Sequence, residues 1–190
     1  MKTGEPHIVA ERDGVVLRHA TEGDLSRLDE ITIICYEPIA DSFINIIGQE
    51  FYKGTRLHPD SDWRDGKTKQ VRDTHEKHPD RVWVLEENGH VFGFVTFGIV
   101  AKRNMGYLDN NGVLPEYRGS GWSTFMYRHV LQYFRNQGIR FVWVETDLDE
   151  PHVPARRAYE AVGFDRQQRI VIYRQDLGQR NPGSEPVRKG

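Results

Sequence analysis

The stretch Val113–Phe125 reads VLPEYRGSGWSTF. An apolar strand end meets Pro115, then Arg118, two glycines and the hydroxyls of Ser120 and Ser123, and a strongly apolar helix follows. Helix starts leave main-chain N–H groups unpaired and carry partial positive charge. Residues without bulk let an anion reach those groups. Gly119, Ser120 and Gly121 give that access, Arg118 adds a cation with fork geometry suited to phosphate, and Ser123 adds a hydroxyl. The same residues also suit a tight strand-to-helix turn that needs glycine for its backbone alone. The spacing is not that of a Walker A loop, since no Gly-Lys-Ser/Thr follows. Nor is it a dinucleotide fingerprint, because Thr124 stands where the last glycine belongs. Another phosphate-bearing ligand is implied.

Working downstream, Trp122, Phe125, Met126, His129, Val130, Tyr133 and Phe134 repeat at three and four, a helix that Gly138 ends. Phe141–Val144 is a continuous apolar run, as in a central strand covered on both faces. Pro154–Val162 reads as a helix stopped by Gly163, and Gln168–Arg174 as a strand. Upstream, Gly106–Leu114 is a strand, and Arg81–Leu85 and Val91–Phe97 flank the hairpin turn Asn88-Gly89. Thr68–Lys77 has the character of a charged surface helix, and residues 58–66 that of a loop. Leu25, Leu28, Ile31 and Cys35 fall at helical spacing behind a capping box, Thr21 to Asp24. Pro38 interrupts, and a second apolar segment with Ile39, Phe43, Ile44 and Ile47 ends at Gly48. Val15–His19 is a short strand, residues 1–12 a flexible leader, and 178–190 a Gly/Pro/polar tail of disordered character. The order predicts one α/β domain over residues 13–177, a mixed sheet with helices on both faces.

A chain of 190 residues fits one such domain. A net charge of -2 gives no global polyanion-binding surface, so no nucleic-acid partner is expected. The single cysteine, Cys35, excludes an internal disulfide and fits a reducing cytoplasm; its place on an apolar helical stripe favours a core role. The N-terminus has no apolar core of signal-peptide type, and no run approaches the ~18 apolar residues of a membrane span. No metal is expected. Starting a calcium loop at Asp60 puts Asp65 where glycine is required and Val71 where glutamate is. His58 and Asp62 belong to the same polar segment, and His75 with His78 lacks a partner at diagnostic spacing.

The pattern Val113-x-Pro115-x-x-Arg118-Gly-x-Gly121-x-Ser123 resembles the acetyl-CoA signature of the GCN5-related N-acetyltransferases, with Ser123 in place of the last Gly or Ala. Pro154–Phe164, PARRAYEAVGF, resembles the family's second block, with His152 where asparagine is usual. The resemblance covers about residues 14–175 and is strongest over 106–174. It implies the family's single-domain fold and transfer of an acetyl group from acetyl-CoA to an amine.

Amide formation from a thioester needs a deprotonated amine, a polarised carbonyl held beside it, and a stabilised thiolate. The resemblance implies that Val113 and Leu114 offer main-chain groups to the pantetheine arm and the carbonyl. It implies that Arg118, Gly119, Ser120, Gly121, Trp122 and Ser123 hold the pyrophosphate, with His152 and Arg156 as further coenzyme contacts. Tyr159 holds the position of the sulfur-facing tyrosine and is the candidate acid; a phenol of pKa ~10 donates a hydrogen bond readily to a thiolate of pKa ~8.5. Asp109 is the candidate base and Glu145 its alternate, the choice resting on strand register. Asn110 and Asn111 add hydrogen-bonding capacity beside Asp109, and Tyr36, Glu37, Phe43 and Tyr52 are acceptor-lining candidates. The leading expectation is an N-acyltransferase acting on a small amine, with a homodimer as the expected assembly. The alternatives are a non-catalytic acyl-CoA sensor, or a transferase acting on a protein, a peptide or a carrier-protein thioester.

Overall fold

Asp13 and Gly14 both have positive φ, 53° and 81°, and close a hairpin between β1 (Ile8–Arg12) and β2 (Val15–His19). The structure, a computed structural model, describes residues 6–54 and 62–178. Residues 8–12 are thus the first strand of the sheet rather than a leader. The Asp-Gly turn supplies the φ values a two-residue hairpin needs, and Val9 and Ala10 of β1 pack on the core. The first five residues of the expected leader and residues 179–190 of the expected tail lie outside the described residues.

After β2, Asp24 accepts from the N–H and the hydroxyl of Thr21, at 2.7 and 2.8 Å, and so starts the turn into α1 (Leu25–Ile47). Pro38 does not interrupt α1. It sits on the exposed side, where the carbonyl its missing N–H leaves unpaired can reach water, while Leu28, Ile31 and Ala40 bury the other side along the whole length. Gly48, at φ 83°, ends the helix, and α2 (Gln49–Gly54) follows. In α3 (Trp63–Lys77) the Asp62 carboxylate caps the Arg64 N–H at 2.9 Å, so the helix starts within the stretch expected to be a loop; residues 58–61 of that stretch are outside the described residues.

The sheet then runs through β3 (Val82–Glu87), β4 (His90–Val100) and β5 (Met105–Val113), with α4 (Trp122–Asn136), β6 (Phe141–Trp143) and α5 (Val153–Ala161) completing the fold. The six strands lie in sequence order; all pairs are antiparallel except β5 with β6, which is parallel. Trp83, Phe92, Phe94, Phe97, Tyr127 and Phe134 fill the core.

Two irregularities in β5 position the site. First, Val95 pairs with Asn111 but Phe97 pairs with Leu108, so β5 carries one extra residue there, a bulge that reverses which residues face which side. Gly106 faces Phe134 of α4, whereas beyond the bulge Gly112 faces Cys35 of α1 and Asn111 faces α4 and α5. The sheet is covered on both faces, by α1 with α3 and by α4 with α5. Second, β5 and β6 pair only from Met105–Phe141 to Tyr107–Trp143, and then part. Leu114 donates to Phe92 O of β4 at 3.0 Å, and residues alternate between strand edges. The main-chain groups of Asn111 and Val113 therefore face the gap.

The expected strand Gln168–Arg174 forms no strand with any of the described residues, and Ile170 to Tyr173 are 65–92% exposed. A β-branched run makes a strand only where another strand receives it. For the same reason the Phe141–Val144 run is not central: β6 forms the sheet edge, with Phe141 exposed.

Candidate active site

The glycine turn between β5 and α4 begins with a short 3-10 turn, Pro115–Tyr117. Gly119 and Gly121 have φ 82° and 76°, and a Cβ on Gly119 would meet no atom within 4 Å. Gly121 is the N-cap of α4, and Phe125 N–H to Gly121 O at 2.9 Å is the first helical bond. The N–H groups of Trp122, Ser123 and Thr124 precede it and have no partner within the helix. This open end of main-chain donors is a cradle for a phosphate.

Arg118 turns inward: its Nε donates to Val113 O at 3.0 Å, and its Nη2 lies 3.9 Å from Cys35 Sγ. It pins the turn to the end of β5. Leu114 N–H is committed to β4, so of the two main-chain positions assigned to the thioester only Val113 lies on the gap edge. Ser123 lies one turn before Tyr127 on α4, and Trp122 is buried against Phe92 and Phe125. Cys35 is half-buried against the core, and loss of hydration pushes its thiol up despite the Arg118 charge, in keeping with a core role.

One residue at this turn has no place in the sequence expectations. Arg12, from β1, donates from Nη2 to Ser120 O at 2.9 Å and stacks its guanidinium 3.7 Å from the Trp122 ring centre. It clamps the glycine turn from outside. The Asp13-Gly14 turn was the available signal, since it makes the preceding residues a strand. Arg12→Ala is expected to weaken coenzyme binding about 10-fold while leaving kcat within two-fold, measured as coenzyme Kd by calorimetry and kcat at saturation.

Across the sheet, the Asn111 side chain bridges two tyrosines. Its Nδ2 donates to Tyr159 Oη at 3.2 Å, and its Oδ1 accepts from Tyr127 Oη at 2.6 Å. The tyrosine rings stack with centroids 5.1 Å apart. Because Tyr159 Oη accepts from Asn111, its own proton is left to donate elsewhere. Burial pushes the Tyr159 phenol up, with the Asn111 and Tyr127 bonds opposing, so it is a neutral donor at physiological pH.

On the opposite face of β5, Tyr36 Oη bonds Asn110 Oδ1 at 3.2 Å and accepts from Asn111 N–H at 3.3 Å. Lys67 Nζ donates to the same Asn110 oxygen at 3.0 Å. Asp109 opens to solvent beside this group. The surrounding walls withhold enough water to raise its carboxyl above the ordinary value, with the Lys67 charge opposing. Tyr36, Asp109, Asn111 and Tyr159 thus come together around the bulge.

The other candidates lie apart. Glu145 is exposed two residues past β6, and no contact ties it to this group. Glu37 is ion-paired with Arg64 at 2.5 Å, and Phe43 sits further along α1 against Tyr52. His152 Nδ1 bonds Asp149, whose other oxygen accepts from Ser42 of α1 at 2.5 Å, while Arg156 donates to the carbonyls of Asp147 and Asp149. These two hold the loop before α5 to itself and to α1. Lys67 and Tyr127 are site residues that spacing did not single out, because only folding brings them to the bulge. Among the described residues no group of three or more His, Cys, Asp or Glu could hold a metal, and no helix is long and apolar enough to cross a membrane.

Solved structures with this fold are found on comparison. A GNAT family acetyltransferase from Brucella melitensis, in complex with acetyl-CoA, has 20% identity and a TM-score of 0.54 over 80% of this chain and 83% of that one. The ribosomal-protein-S18-alanine N-acetyltransferase of Escherichia coli has 17% identity and a TM-score of 0.55 over 81% and 79%. An aminoglycoside acetyltransferase from an uncultured soil metagenomic sample has 14% identity and a TM-score of 0.56 over 87% and 97%. No curated relative matches the chain by sequence. Residues 41–164, about two thirds of the chain, match the family described as the acetyltransferase (GNAT) family. With the bulged, parting strand, the bare helix start and this match together, the chain belongs to the GNAT acetyltransferase family, and the protein is an acyltransferase.

Proposed function

We propose that the protein transfers the acetyl group of acetyl-CoA directly to the amine of a small molecule, with Asp109 as base and Tyr159 as acid. The observation that carries this reading is the placement of Tyr159, Asn111 and Asp109 around the stretch of β5 that β6 leaves uncovered. The residues present fit the coenzyme. The N–H groups at the start of α4 and the clamp of Arg12 suit its pyrophosphate, and the Val113 N–H and the Asn111 carbonyl are the main-chain groups left for its arm along the gap edge. When bound, the coenzyme supplies the activated acyl carbonyl and the thiolate leaving group.

The chain's own groups then act as follows. Val113 N–H polarises the acyl carbonyl. Asp109 accepts the amine proton through a water, and its raised carboxyl keeps it a stronger base than an ordinary aspartate. Tyr159 donates its hydroxyl proton toward the departing sulfur. A small acceptor is favoured by likeness, since an aminoglycoside acetyltransferase is among the chains that share this fold.

Free-thiol release from acetyl-CoA across small amines and peptides tests the proposal. Release with small amines is expected. Tight coenzyme binding with no turnover on any acceptor would turn the reading to an acyl-CoA sensor. The pH profile adds a check. Asp109 acts only when ionised, so kcat/KM falls on acidification through a pKa above the ordinary carboxylate value of ~3.9. Asp109→Asn is expected to abolish that limb and to lower kcat/KM about 100-fold on the plateau.

A further inference from the structure

Lys67 is a charged group in the cleft that the chemistry above does not use. It rises from α3 toward β5, where its Nζ donates to Asn110 Oδ1 at 3.0 Å and Gln70 Oε1 at 3.2 Å and lies 4.6 Å from the centre of the Tyr36 ring. Both hydrogen-bond partners are neutral amides. Burial pulls its pKa below the ordinary lysine value, opposed by the charge of Asp109. An ammonium that has given up much of its water without gaining a carboxylate contact is poised to receive an anion. Arg64, one turn earlier, is not poised in this way: it pairs with Glu37 at 2.5 Å and Asp62 at 3.3 Å.

Resting on the amine-acetylation reading, we propose that the acceptor is an amine carrying a carboxylate on the same small molecule. Lys67 binds the carboxylate, and Asp109 faces the ammonium. Charge matching selects the carboxylate, since a phosphate dianion would bring two charges to one ammonium. The step balances as before: the amine proton goes to Asp109 through water, the N–C bond forms, the C–S bond breaks, and the sulfur takes the proton of Tyr159.

The test compares glycine, alanine and phenylalanine with their carboxamides as acceptors, by thiol release from acetyl-CoA. The free acids are expected to show kcat/KM about 30-fold above the amides. Lys67→Met is expected to remove that ratio by slowing the acids, with thermal unfolding and coenzyme affinity reporting an intact fold. Equal use of acids and amides by the natural protein, or equal slowing of both by Lys67→Met, would overturn the inference and leave amine acetylation standing. Absence of thiol release with every amine, coenzyme bound, would overturn the acetyl-transfer reading and this inference with it.

Discussion

Tyr159→Phe is expected to lower kcat about 1000-fold while coenzyme Kd stays within two-fold. The ring is 5% exposed and packs on Tyr127 and Phe164, so Phe keeps the packing and loses only the hydroxyl. What disappears is the one donor that Asn111 leaves pointing into the gap. The thiolate must then leave without proton or hydrogen bond, in a place where water is scarce. Single-turnover acetyl transfer under saturating coenzyme measures the effect, and a thiol leaving group of lower pKa should recover part of it. Full activity in the Phe variant would remove Tyr159 from the mechanism. The loss of a partner for Asn111 Nδ2 costs about 1–3 kcal/mol of stability, which thermal unfolding reads separately.

Arg18→Met is expected to destabilise the fold by about 3–5 kcal/mol, a drop in Tm on the order of 10 °C for a chain this size. Arg18 is 7% exposed. It donates to both oxygens of Asp24, at 2.8 and 2.9 Å, to Glu86 Oε2 at 2.7 Å from Nε, and to His19 O at 3.1 Å. It ties β2 to β3 and to the turn that starts α1. Met matches its stem but leaves two carboxylates without their cation. The pH dependence follows from the Asp24 shift. Burial alone would raise the Asp24 carboxyl, but Arg18 and the N–H and hydroxyl of Thr21 outweigh it, and the net pKa is lowered. A lowered carboxylate contributes stability above its unfolded pKa and loses it as pH falls through the folded one. The natural protein therefore weakens on acidification. The variant, its Asp24 freed to protonate at higher pH, loses less, and the difference between the two narrows. Urea unfolding at neutral and acid pH measures this.

The sequence carried what depends on local chemistry. Asn88-Gly89 closes its hairpin, the three-and-four repeat from Trp122 is α4, Thr21 and Asp24 cap as their spacing requires, and the glycine turn heads a helix with open amides. What it did not carry depends on partners distant in the chain. Pro38 is tolerated because tertiary contacts hold α1 on both sides of it. The Ile170–Tyr173 run forms no strand because none of the described strands meets it. Arg12 and Lys67 are ordinary surface cations by spacing, and only folding delivers one to the glycine turn and the other to Asn110. Arg118 shows the reverse. Its place in the motif suggested a phosphate ligand, while its Nε is spent on Val113 O.

The bulge in β5 falls beside two asparagines in a row. Asn110 serves Tyr36 and Lys67 on one side of the sheet, and Asn111 serves Tyr127 and Tyr159 on the other. Without the extra residue the two would trade sides, and each side would still be handed an amide. The duplicated residue makes the polar lining indifferent to a slip of one position, whereas Asp109 has no such twin and would be carried out of place. Shortening the strand by one residue should therefore spare the hydrogen-bonded scaffold and silence the base, separating architecture from reactivity through register rather than through side-chain chemistry.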